Sequence, residues 1–249
     1  MYGGIDIGSR TVKIVLLKEG KIQDYKIRDS GNDPYQQAID LIGKYRPKKL
    51  VATGYGRHML KTEFADKVIT EIKAHSLGAR YLYQNCRTVI DVGGQDSKVI
   101  SLDREGKFTD FKMNDRCAAG TGRFLEIMAL TLGFTIEEFG EKALSATSSV
   151  KINSMCTVFS ESEVISLISK RVPLLNITLG VHEAIVDRLL SMVHKVNIGS
   201  GVVFTGGVAN NICVLNLLEE RLKQKVLVPK NPEIAGALGA AVEAELIYL

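Results

Sequence analysis

Two short stretches carry the same chemistry. Asp6-Ile7-Gly8-Ser9 and Asp91-Val92-Gly93-Gly94 each place a carboxylate at the end of an apolar segment, just before small residues. An aspartate there can hold Mg²⁺ through its waters. The glycines let backbone N–H groups approach phosphate oxygens. Lys13 and Lys98 follow at equal spacing on the returning segments and add positive charge near a polyphosphate. The bland alternative is a pair of hairpins whose Asp and Gly only satisfy turn geometry. Repetition favours the phosphate clamp. A third stretch, Phe204-Thr205-Gly206-Gly207-Val208-Ala209-Asn210-Asn211, reads as a strand running through Gly-Gly into a helix. It can face an anion or the edge of a nucleoside, or it can be a turn capped by Asn.

The cysteines are the other reactive group. Cys86, Cys117, Cys156 and Cys213 contain no Cys-x-x-Cys pair, which excludes a zinc ribbon or a ferredoxin loop. Cys117 and Cys156 each precede a helical pattern, where a helix N-terminus stabilises a thiolate or an anionic cluster. One chain then offers two ligands, and a symmetric dimer would supply the four that an iron–sulfur cluster takes. Two small buried hydrophobes are the alternative. Cys86 and Cys213 read as packing residues. His58, His75, His182 and His194 lack ligand spacing and read as surface or packing groups.

The elements that must position these residues come from a duplication. Ile5, Asp6, Gly8 and Lys13 recur as Ile90, Asp91, Gly93 and Lys98; after one inserted residue, Glu19, Gly20, Lys21, Asp24 and Lys26 recur as Glu105, Gly106, Lys107, Asp110 and Lys112. Each unit predicts a three-stranded meander. Helical spacing follows at 36–45 and 68–83, with a short strand at 50–53 between them. Further helices are expected at 118–132, 161–170, 181–194, 212–222 and 234–246, and strands at 202–204 and 226–228. Alternating strands and helices make the chain α/β. Two similar lobes sharing a cleft are expected.

The chain has 249 residues, 45% of them apolar, and a formal net charge of +4. That small, dispersed excess predicts no nucleic-acid partner. The longest uncharged run, 196–218, holds too many Gly and Asn residues for a membrane span. No signal peptide is evident, so a cytoplasmic protein with reduced cysteines is expected.

These motifs resemble the acetate kinase/sugar kinase/Hsp70/actin superfamily. More narrowly, the chain resembles the BadF/BadG/BcrA/BcrD-type ATPases that activate 2-hydroxyacyl-CoA dehydratases and benzoyl-CoA reductases. The resemblance runs through Gly3–Lys13, ATGYGR at 52–57, ADKVITEIKAHSLGA at 65–79, DVGGQDSK at 91–98, NDRCAAGTGRFL at 114–125, FSESEVISL at 159–167 and Phe204–Asn211. It implies a duplicated two-lobe fold with a nucleotide cleft: residues 1–84 as the first lobe, with 233–249 returning to it, and 85–232 as the second. It implies a homodimer sharing one 4Fe-4S cluster, with Cys117 and Cys156 as the ligands from each subunit. It also implies a cycle in which ferredoxin or flavodoxin reduces the cluster and ATP hydrolysis drives the electron to an iron–sulfur dehydratase or reductase.

Under that resemblance Asp6 and Asp91 are expected to hold Mg²⁺ through water. Gly8, Ser9, Lys13, Gly93, Gly94, Gln95 and Lys98 surround the phosphates of ATP or ADP, with Gln95 orienting the attacking water. Gly206, Gly207 and Asn210 face the adenosine. Arg57 could serve a partner surface, or it is a solvated turn residue. Two competing functions share the nucleotide site but not the cysteines: a small-molecule kinase of the N-acetylhexosamine type, and an actin-like scaffold.

Overall fold

The duplicated sequence folds into two sheets of the same topology. In a computed structural model, which describes residues 1–60, 64–153 and 156–248, the first sheet contains β1 (Tyr2–Ile7), β2 (Thr11–Lys18), β3 (Lys21–Asp29), β4 (Lys49–Thr53) and β5 (Lys67–Val68). Its order is β3-β2-β1-β4-β5. The second contains β6 (Thr88–Val92), β7 (Ser97–Leu102), β8 (Phe108–Asn114), β9 (Val202–Thr205) and β10 (Val226–Leu227). Its order, β8-β7-β6-β9-β10, repeats the first strand for strand. The registers repeat as well. Asp6 pairs with Lys13 across β1 and β2, and Asp91 with Lys98 across β6 and β7. Each meander bulges at its equivalent point, Leu16/Leu17 and Ser101/Leu102.

Helices cover the sheets. The first lobe carries α1 (Pro34–Tyr45), which starts on an Asp33 side chain accepting the Gln36 N–H and has proline at its first turn. Then come α2 (Glu71–Leu82), α3 (Gly122–Leu132), α4 (Ile136–Leu144), α5 (Thr157–Ser169), α6 (Leu174–Val193), α7 (Ile212–Leu222) and α8 (Ala235–Tyr248). Helix α4 is an addition to the sequence reading. Its capping box pairs Thr135 with Glu138. Helix α3 begins later than the expected 118, because Gly120 takes a φ of +87° and breaks the Ala-Ala run. No helix among the described residues is long and apolar enough to cross a membrane.

Helix α8 returns to the first sheet, packing Ala237, Leu238 and Ala241 on Val15 and Leu17. Helix α2 lies within 1–84 but packs Ile72 and Ala79 on Val89, Ile100 and Val203 of the second sheet. The two helices touch where neither has a side chain. A Cβ on Gly239 would lie 1.8 Å from the Ala74 carbonyl oxygen, and one on Gly78 would lie 2.0 Å from that of Ala235. The lobes are thus joined by a close backbone contact, which brings the inner ends of both meanders to one cleft.

Candidate nucleotide cleft and cysteine segment

A cleft of about 880 Å³ opens between the two Asp-bearing turns. Asp6, Gly8, Ser9 and Lys13 line it from the first lobe. Asp91, Gly93, Gly94, Gln95 and Lys98 line it from the second, and Gly206, Gly207 and Asn210 close one end. Thus the structure gathers every expected nucleotide residue around one space, while Cys117 and Cys156 lie outside its lining.

The turns are built alike. The Gly8 N–H donates to the Thr11 carbonyl at 3.1 Å, and the Gly93 N–H to that of Asp96 at 2.9 Å. The carboxylates differ in their surroundings. Asp6 is reached by Lys13 Nζ at 3.1 Å and packs against Gly54, where a Cβ would come 2.4 Å from its oxygen. Gly54 also has a φ of +90°, so the ATGYGR segment needs glycine there twice over. Asp91 accepts the Thr205 hydroxyl at 2.9 Å and lies 3.2 Å from His75 Nδ1. Burial works against its charge, but His75, Lys98, Thr205 and Lys13 outweigh that and hold the carboxyl below its usual range.

Lys98 is only 2% exposed and meets three carboxylates: Asp96 at 2.6 Å, Glu71 at 2.8 Å and Asp91 at 3.5 Å. Burial would lower its pKa, but the three acids raise it on balance, so it stays charged. Its first engagement is therefore with protein acids. Asp96 is pushed up by burial, with Asp91 and Glu71 adding to the rise against the opposing Lys98. His75 corrects the packing reading. It sits on the cleft floor between the two lobes, and a Cβ on Gly236 would lie 3.0 Å from its Nε2 and 3.2 Å from Asp6 Oδ2. Glu71, His75 and Asp96 went unread because long-range packing of α2, not local spacing, brings the first two to the site.

At the far end, β9 enters Gly206, whose φ is +85° and whose Cβ would lie 2.3 Å from the Val92 carbonyl oxygen. The chain then makes a short turn before α7. Asn211 caps that helix, its Oδ1 accepting the N–H groups of Cys213 and Val214. Its Nδ2 donates to His182 Nε2 at 3.0 Å, while His182 Nδ1 donates to the Thr178 carbonyl at 2.8 Å. Burial pushes His182 down to about 4, so it is neutral and fixes the Asn211 amide. Asn210 donates to Glu233 on the cleft rim.

The cysteines divide as expected in burial. Cys86 and Cys213 are fully buried, Cys117 is half-buried and Cys156 is exposed; all four are free thiols. Cys156 is the N-cap residue of α5. Cys117 does not open α3. It lies in the connection 115–121, where the Asn114 side chain donates to the carbonyls of Cys117 and Ala119 at 2.8 and 3.0 Å. Beyond it, the Gly122 N–H donates to the Gly93 carbonyl and the Arg123 N–H to that of Gly94, both at 2.9 Å. The start of α3 is thereby bonded to the second turn. Arg57 donates to the Gly54 carbonyl at 2.9 Å, which makes it a turn-closing residue.

The sequence matches the BadF/BadG/BcrA/BcrD ATPase family over residues 4–244. The chain belongs to that family. It is an ATPase with the actin-like, sugar-kinase-like two-lobe fold. It is 44% identical to the activator of lactoyl-CoA dehydratase of Anaerotignum propionicum, covering 97% of this chain and 96% of that protein. The crystal structure of component A of (R)-2-hydroxyglutaryl-CoA dehydratase from Acidaminococcus fermentans superposes with a TM-score of 0.92 at 39% identity, over 99% of this chain and 98% of that one. The activator of 2-hydroxyisocaproyl-CoA dehydratase from Clostridium difficile, solved with bound ADPNP, gives 0.89 at 39% identity, over 98% and 94%. A ROK family glucokinase from Streptomyces griseus shares the fold alone, at 12% identity and a TM-score of 0.61 over 98% and 99%.

Proposed function

We propose that this ATPase is an electron donor driven by nucleotide. Two copies share one 4Fe-4S cluster, ferredoxin or flavodoxin reduces it, and ATP turnover passes the electron at low potential to an iron–sulfur dehydratase or reductase in the cytoplasm. The observation that carries this is the bonded path from the Gly93–Gly94 turn through Gly122 and Arg123 to the Cys117 segment. A change at the phosphates then reaches a thiol without crossing solvent.

The donor set fits a shared cluster. Each chain presents two free thiols outside the core, one half-buried and one at a helix N-terminus. Val158 and Phe159, beside Cys156, are 66% and 67% exposed and offer an apolar contact for a second copy. Cys117 and Cys156 would hold the cluster, which supplies one-electron storage when bound. Asp6 and Asp91 would hold Mg²⁺ through water. The turn amides with Ser9 and Lys13 would bind phosphate, Lys98 would act through Asp91, and Gln95 on the exposed rim would orient water. Gly206, Gly207 and Asn210 would face adenosine. The sugar-kinase alternative has less support, because three relatives at 40–44% identity are named as dehydratase activators.

The test is protein purified without oxygen. About two iron and two sulfide per chain are expected. Cys117→Ala and Cys156→Ala should each lose the iron and keep ATP binding. A value near zero in never-aired wild-type protein overturns the redox reading.

A further inference from the structure

Arg10 lies between the residues expected at the first phosphate turn, and it lines the same cleft. Its stem crosses to the other lobe: a Cβ on Gly94 would come 2.5 Å from Arg10 Cγ. Its guanidinium reaches Glu126 Oε1 on α3 at 3.0 Å. The other Glu126 oxygen accepts from Arg123 Nη1 at 3.1 Å. So one arginine touches both turns and a helix that starts on the second of them.

This cation is the one most easily redirected among the three that the meanders bring to the cleft. Lys98 is sealed among three acids and Lys13 is bound to buried Asp6. Arg10 is 58% exposed and its glutamate 25% exposed. An ion pair in that setting is weak, because water screens it. A guanidinium on phosphate makes two parallel charge-assisted bonds and is stronger.

We propose that Arg10 is a phosphate-binding residue held in reserve by Glu126, so that nucleotide phosphate and α3 compete for one guanidinium. The inference rests on the reading that the two turns bind nucleotide phosphate. Filling the cleft then releases Glu126, leaving it to Arg123 on its own helix. The helix loses a tie to the first lobe while keeping its bonds to Gly93 and Gly94.

The test is calorimetric titration of Mg·ADP and Mg·ADPNP into wild type, Arg10→Ala, Glu126→Gln and the double variant. Arg10→Ala should bind about 10- to 100-fold more weakly. Glu126→Gln should bind about two- to fivefold more tightly, since the competitor is gone. In the Arg10→Ala background Glu126→Gln should change nothing. If it still tightens binding there, the effect is general charge and the proposal falls. It also falls if either single variant binds as wild type does. A wild-type chain that binds neither nucleotide overturns both this proposal and the reading beneath it.

Discussion

Replacing Lys98 by methionine removes a buried charge and keeps most of the stem. In the wild type the ammonium neutralises Asp96, Glu71 and Asp91 from within 3.5 Å. Taking one partner from a buried ionic group costs about 3–5 kcal/mol, since the remaining charges stay desolvated. At about 2–4 °C per kcal/mol for a chain of this size, the midpoint should fall by roughly 6–20 °C. The pH dependence fixes the cause. The folded pKa of Lys98 is raised, so its contribution is complete below the unfolded lysine value and is lost only as pH rises through the raised one. Wild-type stability from this group is therefore flat between pH 5 and 8. In Lys98→Met the carboxyl of Asp96, already pushed up by burial and its acidic neighbours, rises further. An acid raised in the fold destabilises as pH increases through its window, so the variant should regain stability on acidification. Thermal melts of nucleotide-free protein at pH 8 and pH 5 measure this. A midpoint within about 2 °C of wild type at pH 8, or a deficit at pH 5 as large as at pH 8, would refute the argument.

Asp6→Asn and Asp91→Asn should each lower phosphate release from ATP by about 100-fold or more, as expected when a group that positions transition-state charge is neutralised; turnover at the normal rate removes that residue from the Mg²⁺ site. Burial raises the Cys86 and Cys213 thiols to about 12, so a thiol reagent at pH 8 on native, metal-free protein should label Cys117 and Cys156 and spare the other two; peptide mapping decides. His182 is lowered in the fold to about 4, so the unfolded chain binds the extra proton. Stability should fall by about 3 kcal/mol as pH drops from roughly 6.5 toward 4; urea unfolding of His182→Gln across that range should lack this component.

What was legible in the sequence was whatever the chain states twice. The repeated Asp, Gly and Lys predicted two equal meanders, and the registers Asp6–Lys13 and Asp91–Lys98 are indeed equivalent. The strands around them were readable from alternation. Helix α4 was not, because Gly140 interrupts its apolar stripe; the Thr135/Glu138 capping box was the signal available. Cys117 was placed at a helix start because Ala118 and Ala119 favour helix, yet Asn114 and the positive φ of Gly120 hold that stretch as a loop. Apart from Asp96, two residues from Lys98 in the chain, the site's unread residues share one property. Glu71 and His75 reach Lys98 and Asp91 only because α2 crosses to the second sheet, and Arg10 reaches Glu126 only because the lobes face each other. No local periodicity encodes such contacts.

The places where the duplication fails are where the two lobes differ in how turn and helix are joined. After β3 the chain enters α1 through the short connection 30–33, and Asp33 caps the helix. After β8 the matching connection, 115–121, is longer, and Cys117 lies within it. A longer connection would normally loosen the tie between strand and helix. Here Asn114 gathers it and α3 is bonded straight to Gly93 and Gly94, so the added chain is fixed at both ends. The first lobe sets its lysine on one aspartate, and its Arg10 reaches across to the other lobe. The second commits its lysine to three acids and makes its turn a mount for α3. A cleft that closes on phosphate would therefore act on α3 from two sides, through its backbone start and through Glu126. Altering the bonds at Gly93 and Gly94 should disturb nucleotide binding and cysteine geometry together, and altering Arg10 should weaken nucleotide binding while also removing the tie between the first lobe and Glu126 of α3.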